Sequence, residues 1–375
     1  MKNVLMATEG FQVKLEPGQS SKLSAEQIRL QVDRLALTVN VLGYAMSGLT
    51  LGYYKYFPVE QENSAEWGRV PTWGTCTVVE SRHAAFPLGT RFYGLVPLSC
   101  EFVAQPKPIR GGGGGFVDVL EHRSAGNVVY NTYTDLKSDG MFIPELEDEM
   151  VLLRPLFLTA WLLREAIELL QADTVVITSA SSKTGMVLAC LLKQTGKGKR
   201  VIGITSPSNA PFVRRFDQVF DQVVEYSNSN QLAATIGNRV CVVDFAGNVP
   251  VLIALQHSLG ASLVDMLCVG ASHVQEADLM ATLTGQGFAP NLPKPKFFFA
   301  PKYANAVVKS NPRAMTHTVP NDWHWFLQTH ARTMLKSIQT AHGPEAIQQV
   351  LESFAKNKIP GEQSWMGTFQ VNGKL

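Results

Sequence analysis

Four short runs of nearly uninterrupted apolar, largely β-branched residues recur in the second half of the chain. They are Thr174–Ser179 (TVVITS), Arg200–Thr205 (RVIGIT), Val240–Asp244 (VCVVD) and Leu263–Val269 (LVDMLCV). A strand with one face in water alternates apolar and polar residues, whereas a strand that is apolar throughout must be covered on both faces. Between the first two runs, Lys183–Gln194 has helical spacing, and Phe157–Leu170, after Arg154-Pro155, has it too. Buried strands alternating with helices specify a parallel sheet with helices on both sides, an α/β doubly wound arrangement. Lys296–Ala300 (KFFFA) has the character to close that sheet.

The first 150 residues have a different texture. Ile28–Leu30–Val32 alternates as a half-buried strand does, and Thr75–Val79 and Arg91–Val96 are similar short runs. Gly, Pro and Ser punctuate them closely, which points to a small barrel or sandwich. Gly111–Gly115, five glycines in a row, reads as a mobile surface loop. After Ala300 the spacing predicts helices around His324–Thr340 and Glu345–Ala355 and a last strand near Trp365–Gln370. A length of 375 residues suits two domains of ordinary size.

Composition narrows the functional classes. A net charge of +2 gives no broad electrostatic reason to bind nucleic acid or an anionic membrane. No apolar run reaches the ~18 residues of a spanning helix, and the opening MKNVLMATEG lacks the apolar core of a signal peptide. The five cysteines are scattered and odd in number, as reduced thiols in a cytoplasm are. No Cys/His cluster has metal-ligand spacing, so no metal is expected.

The junction Thr178–Gly185 (TSASSKTG) follows a buried strand and opens a helix. Such a turn offers backbone N–H groups and a positive dipole end to a pyrophosphate. Small residues let phosphate approach the backbone, and here Ser179, Ala180, Ser181 and Ser182 stand where glycines often do, with Lys183, Thr184 and Gly185 following. The competing reading is an ordinary polar strand-to-helix turn. The second strand ends Thr205-Ser206-Pro207-Ser208-Asn209, without the acidic residue that binds both ribose hydroxyls of NAD. Its hydroxyls, with Arg214 and Arg215 nearby, suit the 2′-phosphate of NADPH; the two arginines alternatively form a solvated helix face.

In order along the chain, Ile28–Gly48 with Asn40, Pro71–Val79, Gly89–Pro97 (GTRFYGLVP), Phe157–Trp161, the Ser179–Gly185 turn, Arg200–Asn209, Val223–Tyr226, Val243–Gly247 and Cys268–His273 resemble one family. It is the zinc-independent quinone-oxidoreductase branch of the medium-chain dehydrogenase/reductase superfamily. Tyr53–Pro58 (YYKYFP), Trp67–Trp73, Phe116–Tyr133 and Phe297–Pro301 are closer to an uncharacterised offshoot of it. The resemblance implies a GroES-like catalytic domain over 1–150 completed by 302–375, a Rossmann domain over 151–301, and a cofactor in the cleft between them. By matched position it implies that Tyr226 holds the adenosine phosphate. It likewise implies that Phe245–Gly247 and Gly270–Ser272 line the cofactor, and that Phe298 and Phe299 lie beside the nicotinamide. The family's lysine in the second-strand loop is Asn209 here, a departure that bears on NADPH preference. Where zinc-dependent relatives carry their ligands, this chain reads Leu42–Ser47 and Thr72–Thr75.

Without zinc, hydrogen bonds must polarise the substrate carbonyl. The resemblance implies hydride transfer to a quinone, an activated C=C or a carbonyl of a small molecule, then protonation of the resulting anion. A neutral phenol suits that second step. Tyr44, four residues after Asn40, is the first candidate donor, with Tyr54 and Tyr56 behind it; each alternatively is a packed aromatic. His122, Arg123, Tyr130 and Asn131 either line the substrate side or support a loop, and His273 either binds phosphate or is merely exposed. Two other functions fit the same residues: a weakly catalytic NADPH-binding redox sensor or structural protein, and an enoyl-thioester reductase working with a synthase. A homodimer is a further expectation.

Overall fold

A computed structural model describes residues 2–18, 21–59, 66–109, 114–124, 126–196, 198–216, 218–269, 287–311, 313–356, 358–359 and 363–370. The chain forms two compact units, Met1–Pro155 with Leu335–Leu375, and Leu156–Met334.

In the second unit all four apolar runs are strands of one six-stranded sheet. In space the order is Gln222–Glu225, Arg200–Thr205, Thr174–Ile177, Val240–Asp244, Leu263–Cys268 and Pro295–Phe297, every neighbouring pair parallel. Numbered along the chain this is 3-2-1-4-5-6, the doubly wound order whose reversal lies between the first and fourth strands. The strand near Lys296 adds to the edge beside Leu263–Cys268, as its apolar sequence led one to expect.

Two boundaries differ from the sequence reading. The helix expected from Phe157 begins at Glu147 and carries Pro155 inside it. Glu147, Asp148 and Glu149 occupy its first turn, where carboxylates meet the positive dipole end, and this start signal precedes the proline. Residues 302–334, assigned from the resemblance to the barrel domain, belong to the second unit. The reason is Asp322. Its carboxylate accepts from Trp161 Nε1 at 2.8 Å and Gln194 Nε2 at 3.0 Å and pairs with Arg164 at 2.9 Å. Trp323 and Phe326, both fully buried, pack on Phe157 with ring centroids 5.0 and 5.7 Å away.

The first unit is β-rich. Ile28–Leu37, Pro71–Ser81 and Arg91–Pro97 form successive antiparallel pairs within a nine-stranded sheet. The C-terminal strand Gln363–Thr368 pairs antiparallel with Ile28–Leu37, so the end of the chain completes this sheet. The expected helix over 324–340 stops at Met334, and Ser337–His342 is instead a strand parallel to Gln363–Thr368. The helix Pro344–Ala355 connects the two and buries Ile347, Val350, Leu351 and Phe354. Of the glycine run, Gly111–Gly113 lie outside the described residues; the Gly115 carbonyl accepts from the Ile109 N–H at 3.0 Å.

All five cysteines are buried free thiols, and burial raises each above its usual range. Among the described residues, no helix is long and apolar enough to cross a membrane, and no three His, Cys, Asp or Glu side chains are grouped to hold a metal ion.

Candidate functional site

At the switch point of the parallel sheet, the first and fourth strands are stitched together just beyond their carboxyl ends. The Thr178 N–H donates to the Val243 carbonyl at 3.0 Å, and the Thr178 hydroxyl donates to the Asp244 carboxylate. The carboxylate also accepts from the N–H groups of Ala246 at 3.3 Å and Gly247 at 2.8 Å. Burial raises the Asp244 pKa although these donors oppose it. The Phe245–Gly247 loop therefore wraps an internal acid.

The turn after the first strand has a specific hydrogen-bond pattern. Ser179 adopts a left-handed conformation, φ 48°, which costs a side-chain-bearing residue free energy. Its N–H donates to the Tyr226 hydroxyl at 2.9 Å. The Ala180 N–H donates to the Ile204 carbonyl at 2.9 Å and the Ser182 N–H to the Ser179 carbonyl at 2.7 Å. Ser182 then caps the helix Lys183–Gln194, its hydroxyl accepting from the Gly185 N–H at 3.2 Å. Among the described residues the N–H groups of Ser181 and Thr184 have no protein partner in this pattern. Lys183 is half-buried at the same end, and burial brings its ammonium down to about 8. A Cβ at Gly185 would lie 2.9 Å from Ser182 Oγ, 3.1 Å from Ile177 Cγ2 and 3.5 Å from the Phe245 ring, so the closest packing of helix on strand needs glycine there.

At the end of the second strand, the expected hydroxyls do different things. Thr205 is buried and donates to Ser181 Oγ at 3.4 Å, turned into the turn rather than outward. Ser206 and Ser208 face each other across 2.9 Å. The Asn209 carbonyl accepts from the Phe212 and Val213 N–H groups. Arg214 pairs loosely with Glu225 at 3.5 Å, and Arg215 stacks on Phe212 at 5.3 Å. An open cavity of about 330 Å³ runs along the edge strand from Arg214 to Leu232; it borders that edge rather than the switch point. Phe298 is buried and stacks on Tyr303 at 4.1 Å, and Phe299 precedes the helix Ala300–Ser310. Gly270, Ser272 and His273 lie outside the described residues.

The three candidate tyrosines of the first unit have distinct partners. Tyr54 donates to the Ala45 carbonyl at 2.9 Å, and its ring is clamped between Gly48 and Gly68, where a Cβ would come within 2.3 Å of it. Burial pushes its pKa to about 12. Its proton is committed. Tyr56 accepts from the Asn127 N–H at 2.9 Å. Tyr44 accepts from the Trp73 indole N–H at 3.1 Å, and among the described residues its own proton has no acceptor. Burial raises the Tyr44 pKa well above the usual phenol range.

Around Tyr44 the fold gathers further aromatics, of which Tyr130 was among the sequence candidates and Tyr53, Trp73 and Tyr93 were not. Tyr53 lies 4.6 Å from Tyr44 between ring centroids, and its hydroxyl is 3.2 Å from that of Tyr130. Trp73 stacks on Tyr93 at 5.7 Å, and the Tyr93 hydroxyl is buried without a hydrogen-bond partner among the described residues. Trp73 and Tyr93 sit on adjacent antiparallel strands two residues out of register, where long rings touch diagonally. Once the strands were paired, that register was the available signal. Arg123 and Asn131 support a loop: Arg123 pairs with Asp118 at 3.1 Å in a buried ion pair, and Asn131 Nδ2 donates to the Arg123 carbonyl at 2.8 Å. Tyr130 alone of that group joins the phenols, while His122 is exposed.

A unit with a parallel sheet in 3-2-1-4-5-6 order and a β-rich unit to which the strand Gln363–Thr368 adds are the two parts of the medium-chain dehydrogenase/reductase fold. Solved structures agree. CurA from Vibrio vulnificus in complex with NADPH has a TM-score of 0.58 at 14% identity, covering 99% of this chain and 100% of that one. CurK enoyl reductase has a TM-score of 0.54 at 14% identity, covering 98% of each chain. The quinone oxidoreductase from Coxiella burnetii has a TM-score of 0.53 at 13% identity, covering 98% of this chain and 99% of that one. At such identities the likeness is one of fold. The family model described as "Protein of unknown function (DUF2855)" matches residues 35–360, and the chain belongs to that family. A search of curated proteins gives no match.

Proposed function

We propose that this chain is an NADPH-dependent, zinc-free oxidoreductase that reduces a quinone or an activated C=C or carbonyl of a small molecule. The observation that carries the reading is the switch-point turn. There the Ser181 and Thr184 N–H groups stand at the start of the helix Lys183–Gln194 with no backbone partner among the described residues, the chemistry a pyrophosphate requires. The packing of Gly185 against Ile177 and Phe245 supports it, because it holds the helix end close to the strand. Likeness in fold to proteins solved with NADPH points the same way. Ser206, Asn209 and Arg214 are the groups for the 2′-phosphate; Glu225 beside Arg214 is the feature that opposes it. Phe245, Gly247, Phe298 and Phe299 would flank the rest of the cofactor.

The bound nicotinamide supplies hydride. The protein's task is then to stabilise and protonate the anion left on the substrate. Tyr44 fits that task best: the Trp73 N–H fixes its oxygen, its proton has no acceptor among the described residues, and burial keeps it neutral at physiological pH. Tyr53, Tyr93 and Tyr130 surround it with further hydroxyls in an apolar setting.

The test is NADPH oxidation, followed spectrophotometrically with a panel of enones and quinones. Turnover in wild type and a fall in kcat of about 10²-fold in Tyr44→Phe, with NADPH affinity unchanged, is the expected result. NADPH binding without turnover on any acceptor would replace this reading with the nucleotide-sensing one.

A further inference from the structure

Buried hydroxyls in folded chains find partners, because an unpaired one gives up its hydration for nothing. Tyr93 is an exception. It stands in the strand Arg91–Pro97, opposite Thr75 on one neighbouring strand and Thr134 on the other. Its hydroxyl is buried with no hydrogen-bond partner among the described residues. Its ring lies against two groups. The Trp73 indole is nearly parallel to it, at 15° with centroids 5.7 Å apart, and the Arg154 guanidinium is 4.5 Å from its centre. Arg154 is itself buried and paired with Asp139. The same Trp73 donates its indole N–H to the Tyr44 oxygen at 3.1 Å, so one side chain fixes both phenols. They are close enough that a negative charge on Tyr44 is felt at Tyr93.

We propose that Tyr93 is a positioning residue that acts through Tyr44, its O–H donating to the Tyr44 oxygen once that oxygen has lost its proton. This deepens the reading of Tyr44 as the proton donor and rests on it. In that step the Tyr44 O–H bond breaks, the proton goes to the substrate anion, and the electron pair stays on the Tyr44 oxygen; water restores the proton after product leaves. A phenol in apolar surroundings is a poor acid because its anion is unsolvated, and burial raises Tyr44 for that reason. Trp73 supplies one hydrogen bond to the anion. A second needs a nearby donor whose proton is unspent. Tyr53 does not meet this, since its hydroxyl shares a bond with that of Tyr130 at 3.2 Å. Tyr93 does. With Tyr44 neutral, no hydrogen bond joins Tyr93 to it. Ionisation changes the balance, because a bond to a charged acceptor is roughly twice as strong as one to a neutral acceptor. The Arg154 cation over the Tyr93 ring opposes the effect of burial on that phenol and makes its O–H a better donor.

Tyr93→Phe removes that oxygen alone and keeps both ring contacts. With NADPH and an enone or quinone that wild type turns over, kcat should fall about tenfold, the loss of one hydrogen bond to a charged group. KM for the acceptor and the dissociation constant of NADPH should not change. The solvent deuterium isotope effect on kcat should rise, since the proton step is the one slowed. The melting temperature should equal or exceed that of wild type, because the oxygen removed has no partner to lose. Combining Tyr93→Phe with Tyr44→Phe should be no slower than Tyr44→Phe alone, since the second hydroxyl then has nothing to act on. Falls that multiply in the double variant overturn the proposal in favour of direct contact between Tyr93 and substrate. An unchanged kcat overturns it in favour of an idle hydroxyl, and a lower melting temperature in favour of a structural bond. A wild-type chain that turns over no acceptor refutes the reductase reading itself and this proposal with it, an outcome distinct from the other three.

Discussion

Ser182 caps the helix that would carry the pyrophosphate, and this double position gives opposite signs to two substitutions. Its backbone is extended, φ −67° and ψ 140°, and its hydroxyl accepts from the Gly185 N–H at 3.2 Å. Aspartate caps as well as serine does and adds a charge that the helix dipole favours by about 0.3–1 kcal/mol. Ser182→Asp should therefore leave the melting temperature of the nucleotide-free protein unchanged or raise it by ~1–3 °C. The same carboxylate would stand ~5 Å from a phosphate. With an effective dielectric of ~20–30, the repulsion is about 2–3 kcal/mol, a 30- to 150-fold loss of affinity by the usual conversion, roughly. Ser182→Ala is the mirror image. It loses the cap, costs about 1 kcal/mol of stability, and should change nucleotide affinity little. Thermal melting with and without NADPH, together with calorimetric titration, reads both quantities. Retained affinity in the aspartate variant would show the turn to be only a connection. A fall in its nucleotide-free stability would show that the cap geometry has been misread.

The remaining expectations concern other parts of the molecule. Burial brings Lys183 down to about 8 in the free protein; a bound phosphate favours the charged form, so NADPH binding near pH 8 should take up protons and weaken as pH rises beyond it. Calorimetry in buffers of different ionisation enthalpy measures that uptake, and Lys183→Met should abolish it. Asp322→Ala strips the acceptor from Trp161 and Gln194 and the nearer partner from Arg164; a loss of about 3 kcal/mol in chemical denaturation is expected, and an unchanged midpoint would refute the account of why 302–334 packs where it does. Tyr54→Phe, which deletes only the bond to the Ala45 carbonyl, should lower stability by about 1 kcal/mol and leave kcat unaltered, in contrast to Tyr44→Phe. Elemental analysis of protein purified without added metal should find no stoichiometric zinc.

The four inner strands of the parallel sheet were legible because they are apolar on both faces, as in VCVVD, where all five residues are buried. The strand Ser337–His342 was not. SIQTAH is half-exposed, with only Ala341 buried, and has no apolar run to mark it. The placement of 302–334 depended on Asp322 finding three partners far away in sequence, which local spacing does not encode. At the candidate site, the turn Ser179–Gly185 could be found from its position between strand and helix. Which hydroxyls remain available could not, because that depends on tertiary neighbours: Thr205 turns inward to Ser181, while Tyr54 and Tyr44 differ in the partner each meets. The phenol cluster draws on segments near residues 44, 53, 93 and 130, and only the folded sheet brings them together.

The discontinuous first unit has a consequence for how the chain is made. The strand Gln363–Thr368, which pairs with Ile28–Leu37, is separated from it by the whole of the second unit. Glu101–Ala104 pairs with Ile28–Gln31, but during synthesis the edge at Leu35–Leu37 must wait for more than three hundred further residues, at ~5–20 residues per second. Leu156–Met334, by contrast, is contiguous and can fold as soon as it leaves the ribosome. The usual order, N-terminal part first, is thereby reversed, and for tens of seconds the nascent chain presents an unpaired strand edge of the kind that chaperones bind.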